Sequence, residues 1–306
     1  MTVYDEFKSF ELTPASLTLW VFKKYIKQGK PTFTSYWIDT SPALATEIKN
    51  LIESFRDGVH EVMEYSILAQ NNESSLLTIT SVETYAPDIV QSSANEIKEK
   101  KVTRITRLDN KDFYSVKLVH DGVVLHCIKK TDESWKTKKM AEKITMLFSD
   151  QKLDIDKEKK FTISKYFDFF IFKGNIFIEN KKNFESVLSY KKDHIENLEE
   201  LLIDKDFSNL FDNAEPLKKY VGNRAIQLRR VSAIKTKGNY KNKDFMDSLR
   251  ENAVEFKLNI KFDKDGKIIV DEASCPDIFN ALLDHRLQSH YRKHLYDVQN
   301  GAQIQA

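Results

Sequence analysis

Cysteine is scarce: Cys127 and Cys275 are the only two in 306 residues, far apart and in no C-x-x-C pair. That excludes a disulfide framework and a thiolate zinc site, and it fits a reducing compartment. Glycine (8) and proline (6) are also few, which argues against a linker-rich, collagenous or repeat-built chain. No stretch approaches the roughly 18 apolar residues of a membrane-spanning helix; the richest, YFDFFIFKGNIFI, is short and broken by charge. The opening residues MTVYDEFKSFELTP lack a basic region followed by an apolar core, so no secretory signal is expected. These absences predict a soluble cytoplasmic protein. An excess of one charge is missing too: 48 basic residues face 46 acidic ones, for a net +2. A chain that is basic throughout is thereby excluded, but a locally basic surface is not.

What is present is apolar material for one large domain or two ordinary ones, at 41% hydrophobic residues. The charge is unevenly placed. Residues 39–96 hold ten acidic side chains against Lys49 and Arg56, whereas residues 216–243 hold nine basic ones and no acidic one. Surfaces of opposite sign could serve a nucleic acid on one side and a protein on the other. They could equally pair with each other within a subunit or between subunits of a homodimer or larger homo-oligomer.

Periodicity predicts a strand over SLTLWVFKKY (16–25), then a helix opened by Ser41-Pro42 and closed by Gly58, with Leu44, Ile48, Leu51, Ile52 and Phe55 on one stripe. Short strands are expected at 75–85, 102–108 and 113–119, the last forming a hairpin with 123–130 through Asp121-Gly122. TKKMAEKITMLF (137–148) has a helical pattern, and the polar run 149–160 suggests a boundary between a domain of residues 1–150 and one of 151–306. Aromatic strands at 161–172 and 175–179 flank a KGN turn, and one helix of about five turns is expected over 184–204. Shorter helices follow over 214–221, 223–235 and 243–253, then strands around FDKDGK, then a helical pattern over 276–298. Grouped strands and grouped helices predict an α+β fold with mixed or antiparallel sheets rather than a doubly wound one.

The segment PLKKYVGNRAIQLRRVSAIKTKGNYKNK carries the strongest chemical signal. Lys218, Lys219, Arg224, Arg229, Arg230, Lys235, Lys237, Lys241 and Lys243 can neutralise phosphates, and Tyr240 can stack on a base or ribose. The plainer alternative is a solvated face with an exposed loop. Trp135 beside Lys136, Lys138, Lys139 and Lys143 is a weaker candidate of the same kind. His290 and His294, four apart on the expected helix with Asp297 nearby, have metal-ligand spacing but no further ligand cluster. His120 and His126 flank the expected turn. Glu255-Phe-Lys257 has the E-x-K form of metal-dependent nucleases, with Asp244 or Asp247 as the extra carboxylate. Asp263 to Gly266 is better explained as a turn than as a calcium loop. Phosphate-binding glycine loops, G-x-S-x-G and zinc-finger spacings are absent, and no catalytic residue or cofactor is assigned.

The succession FDFFIFKGNIFIENKKNFESVLSY, the helix ending LEELLID, and NRAIQLRRVSAIK resembles the KwaB family of the Kiwa anti-phage defence system. Phe169 to Phe172, Gly174, Phe177 and Phe184 carry the first part, and Arg229, Arg230 and Lys235 onward to Phe256 the second. The resemblance is best over residues 160–285. It implies a defence protein that binds double-stranded DNA and works with a small transmembrane protein, KwaA, at the inner face of the plasma membrane. No family catalytic residue carries over.

Overall fold

Most strand patterns of the first 180 residues join one sheet. The computed structural model describes residues 2–28, 30–79, 83–136, 146–149, 152–155 and 160–298. In chain order, helix α1 (Val3–Ser9) is followed by strands β1 (Ser16–Lys27) and β2 (Lys30–Ile38) and helix α2 (Pro42–Asp57). Strands β3 (Glu61–Glu64) and β4 (Ser75–Ile79), helix α3 (Ala86–Ser92), and strands β5 (Phe113–His120) and β6 (Val123–Lys130) come next. A small ladder of β7 (Met146–Ser149) and β8 (Lys152–Ile155) precedes β9 (Phe169–Phe172), β10 (Asn175–Ile178) and helix α4 (Lys181–Leu188). The eight-stranded sheet runs β2-β1-β5-β6-β9-β10-β4-β3. It is antiparallel except for the parallel β3–β4 pair.

Two hairpins at the centre of this sheet follow from their turn residues. Asp121 and Gly122 have φ of 48° and 73°, and Lys173 and Gly174 have 47° and 76°. Both left-handed pairs match the two-residue turn that suits the strand twist. Both faces of the sheet are covered, which is why FFIF of β9 is buried at every position. On one face Tyr114, Val116, Leu125, Cys127, Phe170, Phe172 and Phe177 meet Phe7 and Phe10 from the N-terminal helix region and Ile48 and Ile52 of α2. Phe7 stacks on Phe177 at 4.8 Å between ring centroids. On the other, Phe184 of α4 stands edge-on to Phe169 at 5.1 Å, and Lys117 donates to the Ser93 and Ala94 carbonyls just past α3 at 3.0 and 2.9 Å.

The chain divides into two compact units, residues 1–64 with 71–188 and residues 65–70 with 189–306. The division thus falls after α4 and not near residue 150, because β9 and β10 complete the sheet begun by the earlier strands. The second unit holds helices α5 (Tyr190–Ile203), α6 (Lys205–Ser208), α7 (Glu215–Val221), α8 (Ala225–Lys237) and α9 (Lys243–Asn252). Strands β11 (Lys261–Phe262) and β12 (Ile268–Ile269), helix α10 (Cys275–Leu282), and strands β13 (Arg286–Gln288) and β14 (Leu295–Asp297) complete it. Its core gathers Leu201, Phe207, Leu217, Leu228, Val231, Ile234, Met246, Ile278 and Phe279. Both units combine helices with mixed or antiparallel strands, so the fold is α+β.

Several sequence expectations are corrected. Residues 102–108 form no strand; Ile105–Arg107 is a 3-10 turn, and Arg107 ties it at the surface by donating to the Glu99 carbonyl at 3.2 Å. The single five-turn helix is two, α4 and α5, interrupted at Ser189 with φ +66°. The helical pattern over 276–298 holds only through α10. Asp284 then takes φ +55°, and the chain returns as the β13–β14 hairpin. Most of the helix expected over 137–148 lies outside the described residues, and its last three residues belong to β7.

Candidate nucleic-acid interface

Helices α7 and α8, the loop after them and the start of α9 carry the nine-cation segment. Helix α8 ends where Gly238 adopts φ +65° and donates its N–H to the Ile234 carbonyl at 2.9 Å, a glycine-dependent stop. Its Leu228, Val231, Ser232, Ala233 and Ile234 are buried, so the middle of the helix is enclosed on nearly every side, and exposure is concentrated at its ends, from Arg224 to Ile226 and again at Lys237. Ile226, by contrast, is 68% exposed.

The structure divides the candidate residues by what they already hold. Lys218 and Lys219, in the last turn of α7, and Lys243, opening α9, are exposed. Arg224, the N-cap of α8, is exposed too, with its guanidinium 4.7 Å from the Tyr220 ring centroid. Arg229 is half-buried. Arg230, Lys235, Lys237 and Lys241 have partners within the unit. Arg230 donates to Asn280 Oδ1 at 2.6 Å and lies 5.3 Å over Phe279, and burial lowers its pKa. Lys235 pairs with Glu200 and donates to Asn197 Oδ1 at 2.8 Å. Lys237 donates to the Leu283 carbonyl at 2.6 Å. Lys241 pairs with Asp204 at 3.0 Å, a hydrogen bond that raises the lysine's pKa.

Tyr240 is a core ring. It is 4% exposed, edge-on to Phe207 at 5.4 Å, and its hydroxyl donates to Asp204 Oδ2 at 2.9 Å. A base therefore cannot stack on it. Trp135 is likewise buried, 5.3 Å from Tyr114, while Lys138, Lys139 and Lys143 lie outside the described residues. Sequence spacing identifies cations but not which of them are consumed by carboxylates on α5 or by carbonyls elsewhere.

Other candidates meet different outcomes. His290 and His294 sit in the loop joining β13 and β14, not on a helix, and among the described residues no group of three His, Cys, Asp or Glu side chains could hold a metal ion. Glu255 and Lys257 lie on a turn after α9, with Lys257 at φ +51°, so the strand required by the nuclease pattern is missing there. Asp247 on α9 is paired with Arg250 at 2.7 Å. Residues 263–267 form the turn between β11 and β12, in which Asp263 Oδ1 accepts from the backbone of Asp265 and Lys267, each at 2.8 Å. His120 pairs with Val123 and His126 with Lys117, so the two histidines are not opposite each other. His194 Nδ1 lies 2.8 Å from Ser232 Oγ, but both side chains are buried and no substrate reaches them.

A largely apolar cavity of ≈ 750 Å³ in the first unit has no signature in the sequence. Ala86, Pro87 and Val90 of α3 face Val124, Ile171 and Ile176, with His126 and Glu83 among the polar lining. His126 is buried, and burial, with a smaller push from Lys117, lowers its pKa to about 4.

The second unit is therefore that of an α+β protein with a helical, cation-bearing surface and, among the described residues, no metal-ligand cluster. A family model described as Kiwa protein KwaB-like matches residues 108–291, and the chain belongs to that family. It is thus a component of Kiwa anti-phage defence. No curated protein and no solved structure matches. No helix among the described residues is long and apolar enough to cross a membrane.

Proposed function

We propose that the protein is a non-catalytic DNA-binding effector that grips the phosphate backbone of double-stranded DNA with little regard to sequence. The observation that carries this is the nine-cation, acid-free segment 216–243, in which Lys218, Lys219, Arg224, Lys237, Lys241 and Lys243 are exposed. Lys218, Lys219 and Arg224 fall within seven residues around the α7–α8 corner, so one stretch of backbone can meet all three. Arg229 lies in the same segment, Arg230 and Lys237 hold the surface in shape through Asn280 and the Leu283 carbonyl, and Lys235 and Lys241 stand in exposed pairs. Membership of a Kiwa system supplies the context: protein partners, of which a small transmembrane protein of the KwaA type would bring this cytoplasmic chain to the membrane.

Phosphate binding releases condensed counterions, so affinity falls steeply with salt. Duplex binding followed by fluorescence anisotropy across a salt series tests the proposal. Lys218→Ala, Lys219→Ala and Arg224→Ala combined should flatten the log–log salt slope by about 2 to 3 while leaving thermal stability unchanged. Equal affinity and slope in the two proteins would overturn it. Charge reversal that dissociates oligomers but spares DNA binding would instead assign the segment to subunit assembly.

A further inference from the structure

The C-terminal hairpin carries a second basic and aromatic surface, outside the segment just described. Residues 285–297 contain Arg286, Arg292, Lys293 and three histidines, of which His285 is buried, against one acidic residue, Asp297, which is paired with Arg286. The hairpin is rooted firmly. Arg286 donates to Asp277 Oδ1 at 3.1 Å, to Asp297 Oδ1 at 2.5 Å and to the Phe256 carbonyl at 2.7 Å. The Val298 N–H donates to the His285 carbonyl at 2.7 Å. Its tip is closed by its own backbone, with Ser289 N donating to the His294 carbonyl at 2.8 Å and Lys293 N to the Ser289 carbonyl at 2.9 Å. On this frame Tyr291 is 94% exposed and Tyr296 49%.

Between the hairpin and the turn after α9 lies a cleft of ≈ 580 Å³, lined by Glu255, Lys257, Lys293, His294, Tyr296 and Asp297 among others. Its contents match the parts of a nucleotide. An exposed ring offers a stacking platform that every base can use. Lys257 and Lys293 suit phosphate, and a carboxylate such as Glu255 accepts from the amino group of a base.

We infer that this cleft holds one unpaired nucleotide of a DNA end or single strand, its base stacked on Tyr296 and its phosphates at Lys257 and Lys293. Tyr291 extends the platform to a neighbouring base. The inference rests on the DNA-binding function proposed above and adds to it a preference for DNA form.

Three probes of common sequence test it at fixed salt: a blunt duplex, the same duplex with a short overhang, and the single strand. The wild-type protein should bind the overhang duplex at least about fivefold more tightly than the blunt one. Tyr296→Ala should abolish that preference with blunt-duplex affinity unchanged, and Tyr296→Phe should keep it. Lys257→Ala with Lys293→Ala should weaken overhang binding and flatten its salt slope by about 1 to 2. Blunt and overhang probes bound equally by the wild type, or a preference that survives Tyr296→Ala, would overturn the inference and leave duplex binding standing. Failure of the wild type to bind any probe would remove the DNA-binding function itself, and the cleft's role with it.

Discussion

Charge is put to opposite uses in the two units. In the first, besides surface pairs such as Lys136 with Glu133, ionic groups lie inside with fixed partners: Arg56 is buried and donates to the Phe7 and Phe10 carbonyls at 3.2 and 2.6 Å. Asp168 is fully buried and accepts from Lys129 Nζ at 3.0 Å, Asn183 Nδ2 at 3.0 Å and the Lys130 N–H at 2.7 Å. In the basic segment of the second, the lysine pairs sit near water, as with Lys241 and Asp204. A buried charge that loses its partner pays the full desolvation cost, whereas an exposed pair is screened and worth little. Arg56 and Lys129 of the first unit therefore hold the fold, whereas the exposed lysine pairs of the basic segment contribute little to it.

The largest effect that tests this contrast is at Asp168. Its carboxylate joins β6 to the start of α4, and its carbonyl accepts from Glu179 and Asn180, each at 2.9 Å. Asp168→Ala leaves Lys129, whose side chain is 20% exposed, without its counter-charge. A loss of about 3 to 5 kcal/mol in chemical denaturation is expected. A cost below about 1 kcal/mol would erase the distinction between the units.

A smaller effect comes from pH. The buried His126 has its pKa lowered to about 4 from 6.5, so it is neutral in the fold while the unfolded chain protonates near 6.5. Stability from this group is complete above pH 6.5 and is lost as pH falls towards 4, by roughly 3 kcal/mol in all. Lys117 opposite and Ser115 on β5, Glu83 before α3 and Lys173 at the β9–β10 turn are the polar groups around it. Imidazole resonances followed by NMR should show a midpoint near 4; a midpoint near 6.5 would mean that water reaches the ring. His285 in the second unit is also lowered to about 4, by burial and then by Lys237 and Arg230, so its titration should shift upward in Lys237→Met while that of His126 stays put.

The first unit was the more legible in sequence, for physical reasons. The Asp121-Gly122 and Lys173-Gly174 turns declare themselves because few residues tolerate left-handed φ, and the aromatic strands around them are buried on both faces. The second unit misleads because its outcome depends on distant partners. HYRKH has helical spacing, yet Arg286 finds Asp277 and Asp297 and the chain folds back as a hairpin. Tyr240 looks like a loop aromatic among lysines until Phe207 and Asp204 enclose it. Lysine count marks the basic segment correctly, but only the acids of α5 and the loop after it decide which lysines remain for a ligand.

That last point yields the smallest and most discriminating prediction. Glu200 on α5 is exposed and pairs with Lys235, while Asn197 holds the same ammonium group at 2.8 Å. Glu200→Ala should cost less than about 1 kcal/mol of stability, because an exposed pair is screened and Asn197 still positions the lysine. The freed charge should at the same time strengthen duplex binding at low salt and steepen the log–log slope by up to about 0.9. Stability and affinity thus move in opposite directions at one surface pair, unlike at the buried Asp168. A Glu200→Ala protein that loses both would show that Lys235 is a brace of the buried kind, and the contrast between the units would shrink to one of degree.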